Sequence, residues 1–190
     1  VCGWHEDLDA TLRTMLAMAP ELTAAQVVLV NQIDSERVNA LRSRPEFKGL
    51  NYVAGDCADQ ADLRRAGVER ARSVMILSDA DQAGADSATL LGVMAVRQLS
   101  RRVRLCAEVC EGRFIPYMMD AGCDEVLHLG SYRRYLAAHV VLSPGMGSIF
   151  ADLLRADQGA CLQVEPVPRT CHGGTFADVQ RAYATDDGGI

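Results

Sequence analysis

Short apolar runs separated by helix-length stretches govern this sequence. The runs lie at 27–30, 52–54, 74–77, 103–109 and 126–129. Successive starts are about 20–30 residues apart, which suits a strand, a helix and two loops. Repeated units of that kind produce a parallel sheet, and right-handed crossovers wind helices onto both of its faces. An α/β fold with a doubly wound parallel sheet is therefore expected. Val1-Cys2-Gly3 reads as the end of one more strand, because Leu8, Leu12, Met15 and Leu16 mark a helix over 6–18 immediately afterwards. A strand needs about five residues, so further chain upstream of Val1 is expected.

Past 126–129 the pattern changes. Helical segments at 132–142 and 147–154 are separated by Ser143-Pro144-Gly145, a helix-breaking hinge. The run 161–164 alternates as a strand, 176–183 reads as a short helix, and 186–190 stops just after a turn. The expected division is a nucleotide-fold lobe over 1–142, a hinge segment over 143–156, and the truncated start of a second α+β lobe over 157–190. The helix at 83–99 is apolar around most of its circumference, with Asp86, Thr89, Val93 and Arg97 marking a narrow, mainly polar stripe. Such a helix needs cover on two sides. One is the sheet; the other is a neighbouring helix or, as the preferred reading, a second subunit.

Charge and composition exclude several classes. Of 190 residues, 49 % are hydrophobic and 23 % charged, which is a globular balance. The 19 basic and 25 acidic residues leave a net charge of -6, which repels phosphate backbones and anionic lipid headgroups alike. No nucleic-acid partner is expected. The longest uncharged run, 135–151, contains His139, Ser143, Pro144 and two glycines, so it does not span a bilayer core of ~30 Å, and no signal peptide is read. The seven cysteines, at 2, 57, 106, 110, 123, 161 and 171, form no C-x-x-C pair. They read as small hydrophobes of a reducing compartment rather than as a zinc site or a disulfide framework.

Three kinds of site are weighed. The turn after the first strand, Cys2-Gly3-Trp4-His5-Glu6-Asp7-Leu8, has Gly3 but carries His5 and Leu8 where a dinucleotide fingerprint needs its second and third glycines. Glu6 and Asp7 repel a diphosphate from the helix start, and Asn31 stands where a ribose-binding acid would be. Gly3, Trp4, Asn31, Asp56 and Asp79 are the candidate ligand crevice, for which a nucleotide, NAD or AMP, is the weaker reading. Acids at strand ends form the second kind: Asp56, Asp79, Asp81, Glu108 and Glu111 offer oxygen ligands to a hard cation such as calcium. Asp59 and Asp62 read instead as caps of the following helix. The run from Asp79 begins like an EF-hand loop but has Ala83 and Leu90 at the fifth and twelfth positions, so that match fails. The third kind is catalysis. His5, His128, His139 and His172 lie in separate segments without a nucleophile motif, His128 reads as a hydrogen-bonded residue in an apolar strand, and no catalytic residue is assigned.

Taken in order, Cys2-Gly3-Trp4, Asn31, Gly55-Asp56, Ser78-Asp79, Ala107-Glu108 and Ala121-Gly122-Cys123-Asp124-Glu125-Val126 resemble the regulator of potassium conductance (RCK) domain. The resemblance covers about residues 1–155, and its closest likeness is to Castor and Pollux type ion channels. It implies a Rossmann-like lobe, crossover helices exchanged between subunits, assembly from a dimer to a gating ring, and a pore upstream of Val1. The chain would then be the cytosolic domain of a membrane protein, sensing an ion or nucleotide without enzymatic activity. For calcium the resemblance points to Asp56 and Glu108, supplemented by Glu111 or Asp79, with Cys110 standing where a second strand carboxylate is expected. Two protein carboxylates imply weak binding, about 10⁻⁴–10⁻³ M. The rival readings are an NAD(P)-dependent oxidoreductase and a plain structural adaptor.

Overall fold

The computed structural model describes residues 1–78, 84–154 and 166–187. Asp79, Asp81 and Ala83 lie outside the described residues, as does the strand read at 161–164. Among the described residues five parallel strands are formed: β1 (Val28–Asn31), β2 (Asn51–Ala54), β3 (Ser73–Ile76), β4 (Arg104–Glu108) and β5 (Glu125–Leu127). β1 pairs with β2, and β4 lies between β3 and β5. The segment 1–3 joins the two groups, with Cys2 bridging in parallel to both Val30 and Ile76. Its N–H donates to Met75 O at 2.8 Å and its O accepts from Leu77 N at 2.9 Å. On the other side Gly3 N donates to Val30 O at 2.9 Å. The order across the sheet is β2-β1-(1–3)-β3-β4-β5, the doubly wound, Rossmann-like arrangement, and the direction of winding reverses at 1–3.

Among the described residues, α1 (Leu8–Met18) follows the segment 1–3, and α2 (Ser35–Arg42), α3 (Gln60–Arg65), α4 (Ala85–Leu99), α5 (Ile115–Asp120) and α6 (Leu129–Leu142) follow β1 to β5 in turn. Strand alternation sorts the core onto two faces. Val30, Val74, Ile76, Leu105 and Ala107 pack with Leu63, Val93, Val96 and Met118. Leu29 and Leu77 point the other way, to Leu8, Leu12, Leu41 and Phe47. β5 ends at Leu127, so the strand read at 126–129 is cut short. Leu129 begins α6, and His128 sits at its N-cap.

The orientation of α4 corrects the sequence reading. The stripe of Asp86, Thr89 and Val93 does not face solvent: Asp86 and Thr89 are 4 % exposed and Val93 is fully buried, whereas Leu91 is 57 % exposed. An acid tolerates that face because its carboxylate is hydrogen-bonded on both oxygens, as described below.

The chain divides into two units, Val1–Phe150 and Ala151–Ile190, within the segment 143–156 read as a hinge. The helix there is α7 (Met146–Leu154), separated from α6 by the turn at Pro144 and Gly145. In the second unit α8 (Phe176–Asp187) is started by Asp178, whose Oδ2 accepts from Thr175 N at 2.7 Å and Thr175 Oγ1 at 2.8 Å.

Candidate ligand cleft

A cleft of about 420 Å³ opens at the C-terminal ends of the strands beside the winding reversal, lined among others by Gly3, Trp4, Asn31, Asp56, Cys57 and Thr89. This is where open α/β sheets bind ligands. Gly3 is obligatory there: at φ +91° it adopts a conformation that disfavours a side chain, and a Cβ would lie 2.6 Å from Leu77 O. Asn31 is buried and its carboxamide is largely committed, with Nδ2 donating to Gly3 O at 3.2 Å and Oδ1 accepting from Ile33 N at 3.2 Å. It therefore braces the cleft wall. Asp56 is exposed, and its Oδ1 accepts from Ala58 N at 2.8 Å. Asp59 caps α3 through Ala61 N and Asp62 N, while Asp62 Oδ2 accepts from Asp56 N at 2.8 Å. That last contact leaves no room at Gly55, where a Cβ would stand 2.3 Å from Asp62 Oδ2.

A second polar cluster lies at the ends of β3 and β4. Glu108 is half-buried, and burial pushes its carboxyl above the ordinary range, as Asp86 does to a lesser degree; His5 and the Ser78 N–H oppose the shift. Asp86 Oδ1 accepts from Ser78 Oγ at 3.2 Å and Cys110 N at 2.8 Å, and its Oδ2 accepts from Glu111 N at 2.8 Å. The first turn of α4 thereby holds the turn that follows β4. Sequence reasoning passed over Asp86. Its signal was an acid near the start of a helix otherwise apolar around most of its circumference.

The structure does not bring the expected calcium ligands together. Asp56 follows β2 and Glu108 ends β4, four strand positions away; at ~4.8 Å each, those strand ends are about 19 Å apart. Two ligands of one calcium lie within about 5 Å of each other. The Glu111 carboxylate is engaged by Arg113 at 2.8 Å. Among the described residues no three His, Cys, Asp or Glu side chains group as a metal site. His128 and His172 have structural partners: His128 Nε2 lies 3.1 Å from Cys110 O and its Nδ1 2.7 Å from Ser131 Oγ, and His172 Nε2 lies 3.1 Å from Val167 O.

A parallel sheet wound both ways from one reversal, with a cleft at that point, defines a Rossmann-like α/β domain. The family model for the TrkA-N domain matches residues 13–129, and the chain belongs to that family. It is 28 % identical over 153 residues to the calcium-gated potassium channel TvoK of Thermoplasma volcanium, covering 77 % of this chain and 40 % of TvoK. It is 24 % identical over 172 residues to "Probable ion channel CASTOR" of Oryza sativa subsp. japonica, covering 81 % of this chain and 18 % of that protein. The chain thus spans well under half the length of these relatives. Among solved structures, the TrkA-N domain of the inner membrane protein YbaL from Escherichia coli is similar with a TM-score of 0.57 and 17 % identity, over 75 % of this chain and 93 % of that one. The GsuK channel bound to NAD is similar with a TM-score of 0.52 and 20 % identity, over 66 % of this chain and 20 % of that one. Both likenesses concern the fold. The RCK resemblance read from the residues is upheld, and the relatives are channel proteins rather than enzymes. Among the described residues no helix is long and apolar enough to cross a membrane.

Proposed function

We propose that this chain is the ligand-sensing regulatory module of a cation channel, on the cytosolic side of the membrane, joined to its pore through chain upstream of Val1. It works without catalysing a reaction, as a homo-oligomer from dimer to gating ring. Membership of the TrkA-N family carries the class, and the cleft beside Gly3 carries the sensing role. A ligand acts there by its unequal affinity for two arrangements of the ring, and equivalent sites add their bias. Oligomerisation is supported by large apolar side chains left on the surface, among them Leu91, Met94 and Tyr117 near α4 and α5, and Tyr135, Val141 and Leu142 on α6.

The ligand proposed for the cleft is an adenine nucleotide, a reading supported by the cleft's place at the winding reversal and by Trp4 and Thr89 along its walls. Glu6 and Asp7 precede α1 and disfavour a diphosphate, so AMP suits the site better than NAD. The test is calorimetric titration with AMP, NAD and NADH, followed by Trp4 fluorescence. AMP binding is expected, and Ala88→Trp, which fills the cleft from an exposed position of α4, is expected to abolish it. Hydride transfer to NAD from any added 2-hydroxy acid would instead establish the oxidoreductase.

Calcium is a second reading, favoured by the half-buried Glu108 carboxylate, which a cation would stabilise in its charged form, and by the calcium gating in TvoK's name. The ligands would be Glu108 with Glu111 or Asp79, and Asp56 would act apart from them. A calcium titration should then be lost in Glu108→Gln and kept in Asp56→Asn. The reverse pattern rejects this arrangement.

A further inference from the structure

We propose that the rim of the sheet at its strand N-terminal ends docks on anionic lipid headgroups through Arg70, Arg72, Arg101 and Arg102. All four are exposed, and none makes an ion pair or side-chain hydrogen bond with a described residue. The parallel sheet gathers them, because it brings the start of every strand to one edge. Arg70 and Arg72 precede β3, and Arg101 and Arg102 precede β4, its neighbour. The two segments are tied at this level by Arg104 N donating to Arg72 O at 3.2 Å.

Three acids near these arginines already have partners, while Asp120, which lines the same hollow as Arg101, opposes the rim's charge there. Glu69 faces Arg64 at 3.5 Å, Asp124 is held by Arg97 at 2.6 Å, and Glu125 is paired with Arg104. Lys48, exposed before β2, adds a further positive charge, and Glu21 opposes it from the loop before β1. The overall charge of -6 does not describe this edge. With screening over about 8 Å at physiological salt, a docking surface meets the local rim and not the average of the chain. Such docking departs, for this face alone, from the expectation that the chain repels anionic headgroups.

Two arguments fix the occupant. Guanidinium groups stay charged at any physiological pH and fork onto phosphate oxygens, so they complement phospholipid headgroups. The segment 1–3 enters the sheet from this same rim, so a pore joined upstream of Val1 would put the arginines on the membrane side. The inference rests on the proposed channel role for that orientation.

Flotation of the chain with neutral phosphatidylcholine vesicles, and with vesicles containing one quarter phosphatidylglycerol, tests it. Binding is expected only with the anionic vesicles, falling at least tenfold between 50 and 500 mM salt. R101Q/R102Q is expected to remove most of it, whereas R37Q/R133Q, which loses the same charge from exposed positions elsewhere, is expected to keep it. No binding, equal binding to neutral vesicles, or equal loss in both variants overturns the proposal. Capture by polyglutamate in place of vesicles also overturns it and points to an acidic protein partner. AMP titration of the same samples without vesicles separates the two readings: a chain that binds AMP and no vesicles loses the lipid rim alone, and one that binds vesicles and no ligand loses the sensing role alone.

Discussion

Asp86 is the residue on which the far side of the cleft depends. Three donors from two other segments converge on its carboxylate, and it is 4 % exposed. Asp86→Ala strands the backbone N–H groups of Cys110 and Glu111, and each orphaned donor costs about 1–3 kcal/mol. A loss of about 2–4 kcal/mol is expected, read as a lower urea midpoint at unchanged slope; a loss under 0.5 kcal/mol would mean that water replaces the carboxylate. Gly55→Ala acts through sterics. Its Cβ meets the side chain of Asp62, which is itself held by the Asp56 N–H and by Arg65 at 2.7 Å, so the neighbour has little freedom to withdraw. About 1–3 kcal/mol of overpacking is expected in a thermal melt, with Gly67→Ala destabilising through its φ of +78° in more open surroundings.

At the scale of elements, α4 is held at both ends. Asp86 ties its first turn to the end of β4, and Arg97 in its last turn donates to Val103 O at 2.6 Å and to Asp124 Oδ2 at 2.6 Å. Asp124 in turn accepts from Leu105 N at 2.7 Å, so one carboxylate closes the start of β4 against α4. The Leu105 N–H first, and Arg97 second, hold its carboxyl below the ordinary range. A lowered folded pKa contributes stability that is complete above the unfolded value of ~3.9 and is lost as pH falls through the folded value. Wild type is therefore expected to exceed Asp124→Asn by about 1 kcal/mol at pH 7, a figure kept small by the carboxylate's exposure. The two should converge in denaturant titrations as pH falls below the ordinary carboxylate range. A difference independent of pH would mean that the charge of the carboxylate carries none of the effect.

At the scale of the whole molecule, α6 has no buried residue, yet Tyr135 is 66 %, Val141 82 % and Leu142 79 % exposed. A helix formed in that way gains little from its own unit, so a second copy is the expected source of its burial. Light scattering at micromolar concentration should give a dimer or larger species, and Val141→Asp with Leu142→Asp should give a monomer with an unchanged far-ultraviolet spectrum. A wild-type monomer rejects the homo-oligomer.

The strands and their helices were legible in the residues because apolar periodicity is local: β1, β3 and β4 fall within a residue or two of the runs that announce them. Gly3 was legible from the turn motif after the first strand and Asp59 as a helix cap, whereas Asp62, read as a second cap, accepts from the Asp56 N–H instead. The sheet order was legible only as a class. What decided the site was lateral distance across that sheet, which no spacing along the chain encodes. Asp56 and Glu108 look alike as acids at strand ends, and the order β2-β1-(1–3)-β3-β4 sets them apart. Asp86 read as one member of a narrow polar stripe, and tertiary hydrogen bonds from Ser78, Cys110 and Glu111 hold that stripe inward. The arginine rim was hidden in a negative total, because charge adds over the chain while docking senses only the charges that the parallel sheet collects on one edge.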